Sequence, residues 1–130
     1  MTQGHAERAH AKLSASGSKR WLTCTPSARL EDQFEETTSG FAEEGTLAHE
    51  VSEVLLQYHT GAISKAARTR RLNKLKKHEL YSDSMIEYVS TYSDLVIEKF
   101  NALEAEKGDA MILLEQRLDF SEWVPEGFGT

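Results

Sequence analysis

Between Met85 and Leu103 one stripe of apolar side chains, Met85, Ile86, Val89, Tyr92, Val96, Phe100 and Leu103, recurs at helical spacing. This is the repeat of an α-helix and not of a strand, so the segment is predicted to be one long amphipathic helix with a single buried stripe. Ser82 or Asp83 caps its start, and Lys107-Gly108-Asp109 ends it. Such a stripe has to be covered. Phe41 to Tyr58 supplies a counterpart, with Leu47, Val51, Val54, Leu55 and Tyr58 on one face and Gly61 as a stop. Ala62 to His78 has helical composition but only Ile63, Leu72 and Leu75 as prominent apolar residues.

The flanks of these helices read differently. The first dozen residues are polar and expected to be mobile, after which Ser14, Ser16 and Ser18 offer caps for a short helix through Lys19-Arg20-Trp21-Leu22. Thr25 is expected to cap a second short turn, with Pro26 at its first helical position. Glu31 to Gly40 reads as an acidic loop. Ala110 to Phe120 is apolar and partly alternating, which predicts a strand, and Trp123 to Thr130 reads as a turn towards a second strand that does not arrive. A lone strand leaves its edges unsatisfied, so the chain is expected to stop in the middle of a sheet.

A length of 130 residues fits a single domain, with residues 13–107 helical and residues 110–130 a strand or hairpin. The expected fold class is mainly α with a small β element. At 39% hydrophobic and 28% charged residues the chain lies outside the regime of disorder. One cysteine excludes an intramolecular disulfide and suits a reducing compartment. With neither a signal pattern nor a run of 18 apolar residues, the expectation is a soluble, cytoplasmic protein without membrane contact.

Charge is distributed unevenly. The net charge of −6 includes seven basic residues between Lys65 and Lys77 (Lys65, Arg68, Arg70, Arg71, Lys74, Lys76, Lys77) with no acidic residue among them. From Leu30 to Ser64 the order reverses, with eight carboxylates and no Lys or Arg. The basic run suits nucleic-acid phosphates, with Arg68, Arg70, Arg71 and Lys74 as contacts, although it carries no aromatic to stack on a base. The alternative is a solvated helix face, or one paired with the acidic segments of the same chain.

Two further stretches bear on chemistry. Gly45 and His49 stand four apart on one helix face, with Glu53 a turn beyond. Glycine inside a helix costs about 1 kcal/mol relative to alanine, which suggests close backbone packing at Gly45. His49 is then a candidate metal ligand with Glu53 beside it, the alternative being a half-buried histidine that packs and hydrogen-bonds. Cys24 is a candidate zinc ligand with His5, His10 or His49, or else a small buried thiol at a helix start.

Taken in order, His10-Ala-Lys-Leu-Ser-Ala-Ser-Gly-Ser-Lys-Arg-Trp-Leu-Thr-Cys24-Thr-Pro-Ser-Ala28, then Gly45-Thr-Leu-Ala-His49-Glu50, then Glu115-Gln-Arg-Leu118 and Pro125-Glu-Gly-Phe-Gly-Thr130 resemble a phage and prophage family of the PD-(D/E)XK nuclease superfamily, related to RecB-type exonuclease domains. The resemblance spans nearly the whole chain. It implies the helical domain of such a nuclease with the first strand or hairpin of an incomplete sheet. It also implies that His49 matches a histidine used on the metal ion. The family's Asp and its Asp/Glu-x-Lys motif, which hold Mg²⁺ or Mn²⁺ and activate water, fall after Thr130. The chain is therefore expected not to be an enzyme, and any metal it holds through His49, Glu53, Cys24 and His10 is expected to be zinc rather than magnesium or manganese.

The resemblance implies a binding protein derived from a nuclease, most concretely an anti-CRISPR-type inhibitor that docks on a host defence nuclease. Its contacts would be the acidic residues Glu31, Asp32, Glu35, Glu36, Glu43 and Glu44 together with the basic helix. The alternative is the N-terminal fragment of a metal-dependent DNA exonuclease. A homodimer is expected if a second copy covers the edge of the Ala110–Phe120 strand.

Overall fold

The computed structural model describes residues 11–35, 37 and 39–129. It is mainly helical, with five helices and a two-stranded antiparallel sheet among the described residues. The chain divides into two units, one bounded by Thr38–Leu114 and the other by Met1–Thr37 together with Glu115–Thr130.

The first unit contains α3 (Gly40–His59), α4 (Lys65–Leu75) and α5 (Asp83–Lys107). All three begin in the same way. Ser39, Ser64 and Ser82 sit in extended backbone before each helix, and their hydroxyls accept from the amides of Ala42, Ala67 and Met85 at 3.2, 3.2 and 3.1 Å. Each serine thereby satisfies one amide that the helix itself leaves without a partner. Glycines stop two of the helices. Gly61 follows α3 at φ +76°, and Gly108 ends α5 at φ +75° with its amide on the carbonyl of Glu104. Both occupy the left-handed region that a Cβ disfavours.

α3 packs on α5 and on α4. Leu47 and Val51 of α3 meet Met85 and Val89 of α5, with Ala48, Leu55, Leu72, Leu75, Leu80, Tyr81 and Ile86 around them. Each fully buried aliphatic side chain here contributes on the order of 1.5–3 kcal/mol. Along α5 the buried line turns slightly from the expected stripe. Ser93 is buried at 2% exposure while Tyr92 is 56% exposed, and Leu103 also lies outside the core. The core face of α5 is therefore Met85, Val89 and Ser93, continued by the half-buried Val96 and Phe100. α4 is shorter than the Ala62–His78 segment predicted for it, because Ser64 is its cap.

In the second unit, α1 (Ser18–Thr23) follows Gly17, and Ser14 Oγ accepts from the Gly17 amide at 3.1 Å. α2 (Ser27–Glu31) follows Pro26 without a side-chain cap, so Thr25 does not serve as the cap expected of it. β1 (Leu118–Asp119) and β2 (Phe128–Gly129) pair antiparallel, with Leu118 opposite Gly129 and Asp119 opposite Phe128.

The small sheet corrects two expectations. The second strand does arrive, so β1 is not a lone strand. In addition, only two residues of the Ala110–Phe120 run are strand. Tight packing closes the hairpin: a Cβ at Gly127 would lie 2.6 Å from the Phe120 ring, and the Phe120 amide donates to the Gly127 carbonyl at 3.0 Å. From Ala110 to Leu114 exposure alternates as in a strand, but no described strand pairs with the segment. The expectation of mobility over residues 1–12 falls, for residues 1–10, outside the described residues.

Candidate functional site: the basic helix α4

The cations of α4 divide between two faces, a separation set by the 3.6-residue turn. Arg68, Arg71, Leu72 and Leu75 turn towards α3. Arg71 Nη1 donates to Gln57 Oε1, and Gln57 Nε2 donates in turn to Glu53 Oε1 at 2.6 Å. The Arg68 guanidinium lies over the Tyr58 ring, 4.9 Å from its centroid, a cation–π contact. Two of the four basic residues expected to contact a partner, Arg68 and Arg71, thus contact α3.

The outer face is different. Lys65, Arg70, Lys74 and Lys77, with Ala66, Thr69 and Asn73, line one shallow open depression formed wholly by this segment. It carries four cations and no carboxylate. At 1.5 Å per residue the row from Lys65 to Lys77 is about 18 Å long. The Thr69 hydroxyl donates to the Lys65 carbonyl at 3.0 Å. Lys74 and Lys77 also border a second depression, where Glu43, Thr46, Leu47 and Glu50 of α3 face Leu75 and His78. Carboxylates thus lie on the α3 side of Lys74 and Lys77 and are absent from the lining of the outer depression.

The remaining candidates separate. His49 is exposed on α3 and not half-buried, and a Cβ added at Gly45 would meet nothing within 4 Å, so the close packing expected there is absent. Glu53 is half-buried and its Oε1 is engaged by Gln57. Cys24 is exposed and closes α1, its amide on the Arg20 carbonyl at 2.8 Å, which corrects the reading of a buried thiol. His10 lies outside the described residues. Among the described residues no group of three or more His, Cys, Asp or Glu side chains is placed to hold a metal ion. His49 and Glu53 supply two donors from one helix, fewer than the three or four a zinc centre takes from a protein.

The acidic residues belong to both units. Glu31 forms a two-pronged pair with Arg20, Nε to Oε1 at 2.7 Å and Nη2 to Oε2 at 3.0 Å, and Asp32 pairs with Lys12 at 2.7 Å. Glu35 is exposed, Glu43 and Glu44 are exposed on the first turns of α3, and Glu36 lies outside the described residues. Sequence reasoning missed Gln57 and Tyr58 as anchors of α4. The four-residue step from Glu53 to Gln57 was the available signal. It also missed the Arg117 guanidinium stacked 3.5 Å from the Phe128 ring centroid.

No helix among the described residues is long and apolar enough to cross a membrane. The model of one protein family, described as a protein of unknown function (DUF2800), matches residues 10–130. No solved structure matches the chain.

Proposed function

For a chain that belongs to the DUF2800 family, we propose a binding role in which the outer face of α4 takes the phosphate backbone of a nucleic acid. One observation carries this reading: Lys65, Arg70, Lys74 and Lys77 share a single depression free of carboxylates, while Arg68 and Arg71 anchor the helix from behind. A row of cations on one helix face neutralises phosphates and releases their counterions, and Asn73 adds a neutral donor of the kind that fixes register on a backbone. The face has no aromatic, so contact is with the backbone and not with stacked bases.

This reading agrees with the nuclease resemblance, because a nuclease-derived domain retains a need to hold the backbone whether or not it cuts. The more specific inhibitor role, docking on an RNA-guided nuclease, is the second reading, favoured by the exposed Glu43 and Glu44. It ranks lower because Glu31 and Asp32 already pair within their own unit.

The test is fluorescence anisotropy with a labelled 20-base-pair duplex across a salt series. Four phosphate contacts give a slope of log K against log salt near −3.6, and Arg70→Glu with Lys74→Glu brings it to about −1.8 or less. A salt-independent affinity, or one unchanged in the double variant, refutes the proposal.

A further inference from the structure

α5 carries more apolar surface than its core uses. Beside the buried line of Met85, Val89 and Ser93 runs a second row, Tyr88, Tyr92, Leu95 and Leu103, exposed at 74, 56, 51 and 45%. Steps of four, three and eight residues keep these on one side of the helix, with Lys99 in the remaining place. Next to that row, about 100° further from the core, stand Glu87, Asp94 and Glu98, all exposed and without an ion-pair partner among the described residues. Tyr88, Tyr92 and Leu95 therefore make one apolar strip with an acidic border, and Lys99 separates it from Leu103.

We propose that this strip docks an amphipathic helix of another protein, with its apolar row on Tyr88, Tyr92 and Leu95 and with Lys or Arg along the border that meets Glu87, Asp94 and Glu98. Charge selects this occupant. A second copy packed antiparallel about a two-fold axis sets each border against its own equivalent, which places Glu87, Asp94 and Glu98 against three more carboxylates. A basic helix turns the same geometry into attraction, and tyrosine rings add a face for its cations. Helix-in-groove recognition reads anchors at this spacing, and exposed tyrosines are among the residues that concentrate binding energy.

The experiment uses the full chain and two labelled 18-residue helical peptides with the same leucine pattern, one with Lys at the polar positions and one with Glu. Anisotropy is expected to show the Leu/Lys peptide binding at least about tenfold more tightly than the Leu/Glu peptide, and Leu95→Glu is expected to weaken it by about tenfold. The sign of the second result is decisive, because simple attraction to an acidic protein predicts that an added carboxylate strengthens binding. Circular dichroism checks the fold of Leu95→Glu, and Tyr92→Ala supplies an uncharged second variant with the same expected direction. Binding that Leu95→Glu leaves unchanged or strengthens overturns the proposal. So does sedimentation equilibrium showing a dimer that Leu95→Glu dissociates, which assigns the strip to a second copy.

Discussion

Arg71 on α4 donates to Gln57 on α3, and Gln57 hands its own amide to Glu53 one turn back. This relay joins a cation and a carboxylate through a neutral side chain, and it ties a helix with no fully buried residue to the rest of its unit. Removing the middle member leaves both ends half-buried without that partner. Gln57→Ala is expected to lower the urea unfolding free energy by about 1–3 kcal/mol, whereas Arg70→Ala on the outer face costs no more than about 0.5 kcal/mol. Equal effects from the two substitutions would show that the relay contributes nothing.

Ser93 is 2% exposed, and its hydroxyl has no hydrogen-bond partner among the described residues. A buried hydroxyl of this kind carries its desolvation cost without return. Ser93→Ala is expected to raise stability by roughly 1 kcal/mol, read as a higher melting temperature in differential scanning calorimetry. A lower melting temperature would mean that the hydroxyl is satisfied in solution.

Gly45 and Gly127 make a contrasting pair. Gly45 lies inside α3 with open space around it, so Gly45→Ala is expected to stabilise by about 1 kcal/mol through helix propensity alone. At Gly127 a Cβ meets the Phe120 ring at 2.6 Å and the Val124 carbonyl at 2.8 Å. Gly127→Ala is expected to cost about 1–3 kcal/mol and to shift the amide signals of β1 and β2 in an NMR spectrum. Opposite signs at the two glycines are the outcome to look for in parallel melts.

Ser82 caps the longest helix through the Met85 amide. Ser82→Ala is expected to destabilise by about 1 kcal/mol, and Ser82→Asp to restore most of that loss. Amide exchange at Met85 that does not quicken in Ser82→Ala would count against the cap.

The helices of the first unit are readable because apolar spacing and serine caps act locally. Leu47, Val51, Met85 and Val89 repeat at helical steps, and Gly108 marks its stop by composition alone. The division of the basic run is not readable, since Arg68 and Arg70 are chemically alike. Only the position of Tyr58 and Gln57 on another helix separates them. The place of Ser93 rather than Tyr92 on the buried line reflects a helix whose packing against α3 sets its rotation, a tertiary choice that a hydropathy pattern does not encode. The hairpin escapes for the opposite reason. Its strands are two residues each, and the close fit of Gly127 to Phe120, rather than alternation, holds them.

α4 joins its unit mainly through Leu72, Leu75, one stacked arginine and a side-chain relay, while α3 and α5 share the buried core. With so little apolar surface attaching it, the helix is expected to open as a separate unit and to exchange its amides while the α3–α5 pair stays closed. High salt screens the mutual repulsion of its cations. Salt screens equally the attraction of Lys74 and Lys77 to Glu43 and Glu50 of α3, so ionic strength is expected to change amide protection along α4 in the direction of the larger of the two, while that of Val51 and Val89 stays constant.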